Sequence, residues 1–176
     1  QLHNPSMKGF LAHEFTHVIT FYQKDKLRQV EEEVWLNEVR AEYAPTLVGY
    51  DLALASEASN LQRRLKSFID KPFNSLTEWD NKPPDYGIAN LFAQYLIDQY
   101  GLQILVDSLK SSQVGIPSLN EALAKSGRTE DFAAVFRNWT IAIFLNDCQY
   151  GPRYCYYNPQ LVNFRVVPST HFLPSF

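Results

Sequence analysis

The sequence predicts a mainly α-helical chain. Three observations carry this. Apolar residues recur at helical spacing, most clearly over 51–70 and 86–100. Helix start and stop residues bracket such runs: Asn4-Pro5-Ser6 ahead of the first, Pro45 at the limit of the second, Gly101 and Gly127 after later ones. Two histidines, His13 and His17, stand four apart, a spacing that on a helix sets them one above the other on one face.

The bounds are ordinary for a folded protein. The chain has 176 residues, 45% of them apolar and 20% charged, enough for one core or two small subdomains. A net charge of −3 gives no basic footprint for nucleic acid. The apolar runs are far too short to span a bilayer. The chain opens on Gln1 without a signal-peptide pattern, shortly before His13, so it is expected to be a fragment of a longer protein. Oligomeric state is not legible.

The first helix is expected from Ser6 to about Asp25. Its apolar residues Phe10, Leu11, Phe15, Val18, Ile19, Phe21 and Tyr22 read as the buried surround of the histidines. Polar Gln23–Gln29 reads as a loop. The second helix is expected from Val30 to Ala44, with Glu31, Glu32 and Glu33 as a solvated first turn where acids suit the helix dipole. Three consecutive residues point different ways, so this run is not expected to add a metal ligand. The third helix, 51–70, has Leu52, Leu54, Ala55, Leu61, Leu65, Phe68 and Ile69 inward, and Arg63, Arg64 and Lys66 wet.

Lys71–Asp85, with Pro72, Pro83 and Pro84, is a loop that either borders a cleft or simply connects. Tyr86–Tyr100 is a buried helix closed by Gly101. Leu102–Lys110 is a shorter one. Ser118-Leu119-Asn120-Glu121 reads as a capping box opening the next, which ends at Gly127. Thr129 is expected to cap the last long helix, through Ala133, Phe136, Trp139, Ile143 and Leu145. The sequon Asn138-Trp139-Thr140 lies inside that apolar helix and reads as chance. A short strand is expected over 162–167.

Cys148 and Cys155 close a tight loop. A disulfide there would staple the helix end to the tail and imply an oxidising, extracellular or periplasmic compartment; two buried free thiols are the other reading. The expected divisions are 1–50 for the metal-site helices, 51–147 for a helical subdomain and 148–176 for the tail.

The chemistry centres on His13-Glu14-Phe15-Thr16-His17. Two imidazoles one helical turn apart can close on one metal ion, and Glu14 is offset to sit beside it, placed to take a proton from a water. A catalytic zinc site needs a third protein ligand and an open position. Trp35-Leu36-Asn37-Glu38-Val39-Arg40-Ala41-Glu42-Tyr43 supplies candidates. A helix returning antiparallel would aim Glu38 at the metal and Glu42 at the back of His13 or His17, fixing a histidine tautomer. His3 and His171, near the termini, are not expected to be ligands.

These residues carry a resemblance. His13-Glu14-x-x-His17 followed by Asn37-Glu38-x-x-x-Glu42 resembles the gluzincin metallopeptidases, the group holding thermolysin and the zinc aminopeptidases. The W-L-N-E-x-x-A-E-Y stretch is most similar to the hyicolysin-type and related peptidase-MA-like branch. That branch commonly has Gly where this chain has Val39, a departure that touches no ligand. The resemblance covers about residues 6–147 and is specific only in the ligand motifs. It implies zincin-like catalytic helices followed by a helical C-terminal subdomain. It also implies an upstream β-sheet, absent from this chain, whose edge would bind substrate backbone. It implies zinc held by His13, His17 and Glu38, and a tyrosine or histidine that meets the developing oxyanion. Tyr86, just before Gly87, is the candidate for that donor; the aminopeptidase tyrosine stands farther ahead of its glycine, and Tyr86 as a packing residue remains the other reading.

The expected function is hydrolysis of peptide bonds in peptide or protein substrates, with Glu14 as general base. The alternative is a non-catalytic helical binding or assembly domain with a structural zinc clip. A structural site has no use for a base at Glu14, and it ordinarily has four protein ligands.

Overall fold

The computed structural model of the chain describes residues 4–51 and 59–167. The expectations for His3, Leu52, Leu54, Ala55 and His171 lie outside them. Among the described residues the chain is mainly helical and has no strand. Seven α-helices follow one another: α1 (Pro5–Phe21), α2 (Val34–Leu47), α3 (Asn60–Asp70), α4 (Pro83–Tyr100), α5 (Gln103–Lys110), α6 (Gly115–Lys125) and α7 (Phe132–Leu145). None of them is long and apolar enough to cross a membrane.

The core lies beneath α2 and around α4. Trp35, Leu36 and Val39 from α2, Leu61 and Phe68 from α3, and Leu91, Phe92, Tyr95 and Leu96 from α4 are buried together with Trp139 of α7. Burying each of these large side chains is worth roughly 1.5–3 kcal/mol against leaving it in water. The polar atoms of the aromatics are answered: Trp139 donates to the Tyr156 hydroxyl at 2.8 Å, which donates to the Leu91 carbonyl at 3.1 Å.

Helix α1 departs from expectation. Asn4 caps it, its Oδ1 accepting from the Ser6 amide at 3.0 Å, and Pro5 opens it as expected. But Phe10, Leu11, Phe15, Val18, Ile19, Phe21 and Tyr22 do not surround the histidines. They are exposed, Phe15 to 62%, and of them only Phe10 lines the cavity beside His13. Only the edge carrying Gly9, His13, His17 and Thr20 packs inward, against α2.

The helix also runs on where a loop was expected, through a π-helical stretch, Tyr22–Lys26. The wider turn aims Lys24 into the protein. Its ammonium donates to the Ser108 and Ser111 carbonyls at 2.8 and 3.0 Å and lies 3.4 Å from Glu32. Glu32 is therefore not on a solvated turn. Its buried carboxylate also takes Arg40 at 2.8 Å and the Gly115 amide at 2.7 Å. That leaves residues 30–33 outside any helix, and α2 starts later than expected, at Val34. It passes through Pro45 and ends at Leu47, because a proline in the last turns costs only one helical hydrogen bond there.

Other boundaries shift for local reasons. Pro83 and Pro84 form the first turn of α4, three residues ahead of the expected start, since a missing N–H costs nothing there. Ser118 is not a cap but lies inside α6, its hydroxyl bonded to the Gly115 carbonyl at 2.8 Å. Asp131, not Thr129, caps α7, accepting from the Ala134 amide at 2.9 Å. Ile69 is exposed, and Ala133 faces solvent on α7. Asn138 is 2% exposed, in keeping with a chance sequon.

The tail is stapled. Cys148 and Cys155 form a disulfide, which suits an extracellular location. The loop it closes is tied to α4 by the Tyr95 hydroxyl, which donates to the Arg153 carbonyl at 2.8 Å, and by Gln99, which donates to the Cys155 carbonyl at 2.9 Å. The expected strand at 162–167 does not form, because the end of α7 answers its backbone. The Val166 amide donates to the Ile143 carbonyl at 2.7 Å, and Asn146, in the left-handed region at φ 37°, donates to the carbonyls of Leu161 and Phe164.

Candidate metal centre

Helices α1 and α2 pack along one edge, and this brings His13, His17 and Glu38 together as a cluster able to hold a metal ion. The His13 and His17 Nε2 atoms are 3.2 Å apart. His13 Nε2 is 3.4 Å from Glu38 Oε2, and His17 Nε2 is 3.6 Å from Glu38 Oε1. Three donors bound to zinc at about 2.0–2.1 Å in a tetrahedral arrangement stand roughly 3.3 Å from one another. The observed triangle has those edges.

The far side of each imidazole decides which nitrogen carries the proton. His17 Nδ1 lies 3.1 Å from Asn37 Oδ1, which can only accept. His13 Nδ1 lies 3.4 Å from Glu42 Oε1. Both Nδ1 atoms are thus assigned the N–H, and both Nε2 atoms present lone pairs inward. Glu38 adds a carboxylate whose buried Oε2 accepts no hydrogen bond. Lone pairs and a negative charge converging on one point repel unless a cation sits among them. Burial opposes protonation of His13, but Glu38, Glu42 and Glu14 outweigh it and hold its pKa above the ordinary value. The site attracts positive charge, and the residues present fit a zinc ion.

Glu42 lies behind His13 and is fully buried. Its carboxylate accepts from Arg64 Nε at 2.8 Å and Arg64 Nη2 at 2.6 Å, a bidentate pair, and from Asn60 at 3.0 Å. Asn90 reaches both its carboxylate, at 3.3 Å, and its backbone carbonyl, at 3.0 Å. Arg64 was expected on the wet face of α3. It turns inward because α3 and α4 approach closely at Gly87: a Cβ there would lie 2.8 Å from the Phe68 amide nitrogen and 2.9 Å from the Arg64 carbonyl. No local pattern in the sequence announces that approach. Asn37 precedes Glu38 in the motif, and its contact with His17 could have been anticipated from that place.

Glu14 and Tyr86 line, with His13, a cavity of about 250 Å³ beside the cluster. Glu14 is exposed to it. The Tyr86 ring is held between the Trp79 edge, with centroids 4.9 Å apart, and the Arg64 guanidinium at 4.6 Å. Its hydroxyl donates to Asn81 Oδ1 at 2.6 Å. Burial, then the Glu38 carboxylate, push this phenol up, which keeps it a proton donor. The loop 71–82 acts on this cavity through Tyr86, which Asn81 and Trp79 hold in place, and supplies no lining residue of its own among the described residues.

No protein-family model matches this chain, and no curated protein matches it either. The centre is therefore read from its own geometry.

Proposed function

We propose that this chain carries the metal centre of a zinc-dependent peptidase that acts on peptide or protein substrates in an extracellular or periplasmic compartment. The observation supporting this most directly is the triangle of His13, His17 and Glu38 donors beside a cavity lined by Glu14. The gluzincin resemblance of the same residues points the same way.

His13, His17 and Glu38 would hold the ion. When bound, zinc supplies Lewis acidity, bringing a water's pKa to about 7 and polarising a carbonyl. Glu14 takes the proton from the attacking water and returns it to the departing amine, a shuttle worth roughly a hundred- to ten-thousand-fold in rate. Glu42, locked by Arg64, keeps His13 in the tautomer that offers Nε2. Tyr86 exchanges Asn81 for the substrate's carbonyl oxygen as charge develops there, a contact worth roughly 3–4 kcal/mol when well placed. The exposed apolar face of α1 fits a peptidase in which a sheet covers that helix and offers its edge to the substrate backbone.

The test is metal analysis paired with peptide digestion. One zinc per chain, and cleavage that a chelator abolishes and zinc restores, is the expected result. Zinc bound tightly with no metal-dependent cleavage would favour the structural clip instead.

A further inference from the structure

Resting on the peptidase reading, we infer that the cavity beside the metal centre is a carboxylate subsite: it selects substrates that place an acidic side chain or a free C-terminal carboxylate next to the scissile bond.

The charge of the lining carries this. Among the described residues, and beyond His13, the cavity is lined by two guanidinium groups, Arg63 and Arg64, and by one carboxylate, Glu14. Arg64 is held in place without being used up. A guanidinium has five N–H donors in a rigid fork. Glu42 takes two of them, on Nε and Nη2, and the other three have no acceptor among the described residues. The fork is therefore fixed at one edge and open at the other, the arrangement that receives a planar carboxylate with little further ordering. Arg63, which donates to Asn60 Oδ1 at 3.2 Å, adds a second cation from the next position on α3. The first turn of α1 also borders the cavity through Pro5 and Ser6 and contains no acidic residue, so its dipole adds potential of the same sign.

The other side-chain classes fit worse. A lysine or arginine side chain would meet two like charges. An apolar one would strip water from two guanidinium groups and give no hydrogen bond back. At about 250 Å³ the cavity has room for one side chain or one chain end.

Two sources of the carboxylate are separated by peptide sets. One set carries Glu, Ala or Lys beside the cleaved bond with an amidated C-terminus; the other keeps Ala and ends in a free carboxylate. In one set or the other the carboxylate peptide should be cleaved with kcat/KM at least about tenfold above its neutral counterpart, with the Lys peptide slowest. Arg63→Glu should erase the preference and Arg63→Gln should reduce it. Arg63 is the position to vary because removing Arg64 would also strand the buried Glu42. Cleavage without a carboxylate preference, or a preference unchanged in Arg63→Glu, overturns the inference and leaves the peptidase reading standing. If no peptide is cleaved, the peptidase reading falls and binding decides the subsite. Glutaric monohydroxamate should then bind the zinc-loaded chain about tenfold more tightly than its methyl ester, by calorimetry, and equal affinities or no binding of either overturn it.

Discussion

The Nε2 atoms of His13 and His17 face each other across 3.2 Å, each imidazole turned by a partner on its far side. Two lone pairs at that distance call for a cation. The purified chain is expected to bind about one zinc, and a hundredfold excess of free zinc over Kd should stabilise it by roughly 2.7 kcal/mol, or about 5–10 °C in Tm. Melting with zinc and with chelator measures this. If Glu38→Ala bound zinc as tightly as the parent while Glu42→Ala lost it, the assignment of Glu38 as third ligand would be wrong.

Glu42 acts through His13. Glu42→Gln keeps the shape and one acceptor oxygen but weakens the hold on the His13 N–H. Zinc affinity should fall roughly ten- to a hundredfold with the helical circular dichroism unchanged. Competition with a chromophoric chelator reads the change. An unaltered affinity would mean that Glu42 serves only to pair Arg64.

What was legible in the sequence was whatever depends on local spacing. The helical class, the histidine pair on α1 and the acid pair on α2 follow from residues one turn apart, and the short interval between Cys148 and Cys155 allowed their bridge. What was not legible depends on tertiary partners. The apolar residues of α1 read as buried because periodicity reports a face, not what covers it; Phe15 is 62% exposed. Glu32 read as solvated because acids suit a helix start, yet Lys24, Arg40 and the Gly115 amide, distant in sequence, draw it inward. Arg64 read as wet on an amphipathic helix, and only the approach of α3 to α4 at Gly87 turns it onto Glu42.

The Lys24–Glu32 pair fastens the end of α1 to the segment between α5 and α6. Lys24→Met would remove the ammonium and leave the carbonyls of Ser108, Ser111 and Gln113 and part of a carboxylate without it. Breaking such a pair costs about 3 kcal/mol or more, so Tm should drop by roughly 6–12 °C. A drop under about 2 °C would show that water or Arg40 replaces the ammonium at little cost.

The Cys148–Cys155 bridge closes a short loop, so its effect on stability is modest, about 2 kcal/mol. Reduction should lower Tm by roughly 4–8 °C while leaving zinc content unchanged, since the bridge lies at the far end of α4 from the ligands. Two free thiols, counted under denaturing, non-reducing conditions in protein made in an oxidising compartment, would contradict the pairing.

Glu14 separates a catalytic centre from a structural one. It follows His13 directly, lines the cavity and is exposed to it, whereas Glu38 and Glu42 are turned toward the histidines. It is therefore placed to exchange a proton with a water or a leaving group without holding the ion itself. Glu14→Gln preserves size and hydrogen bonding and removes the proton acceptor. Zinc content and Tm should stay close to the parent's, because no ligand and no buried partner is lost. Peptide hydrolysis should fall at least about a hundredfold, the low end for losing general-base help. Both proteins must be compared with zinc bound and with chelator present, in the preparation whose parent form cleaves peptides. A base predicts loss of turnover with retention of metal. A structural anchor predicts the reverse, loss of metal or of fold. Equal cleavage rates in the two zinc-loaded proteins would remove Glu14 from the mechanism.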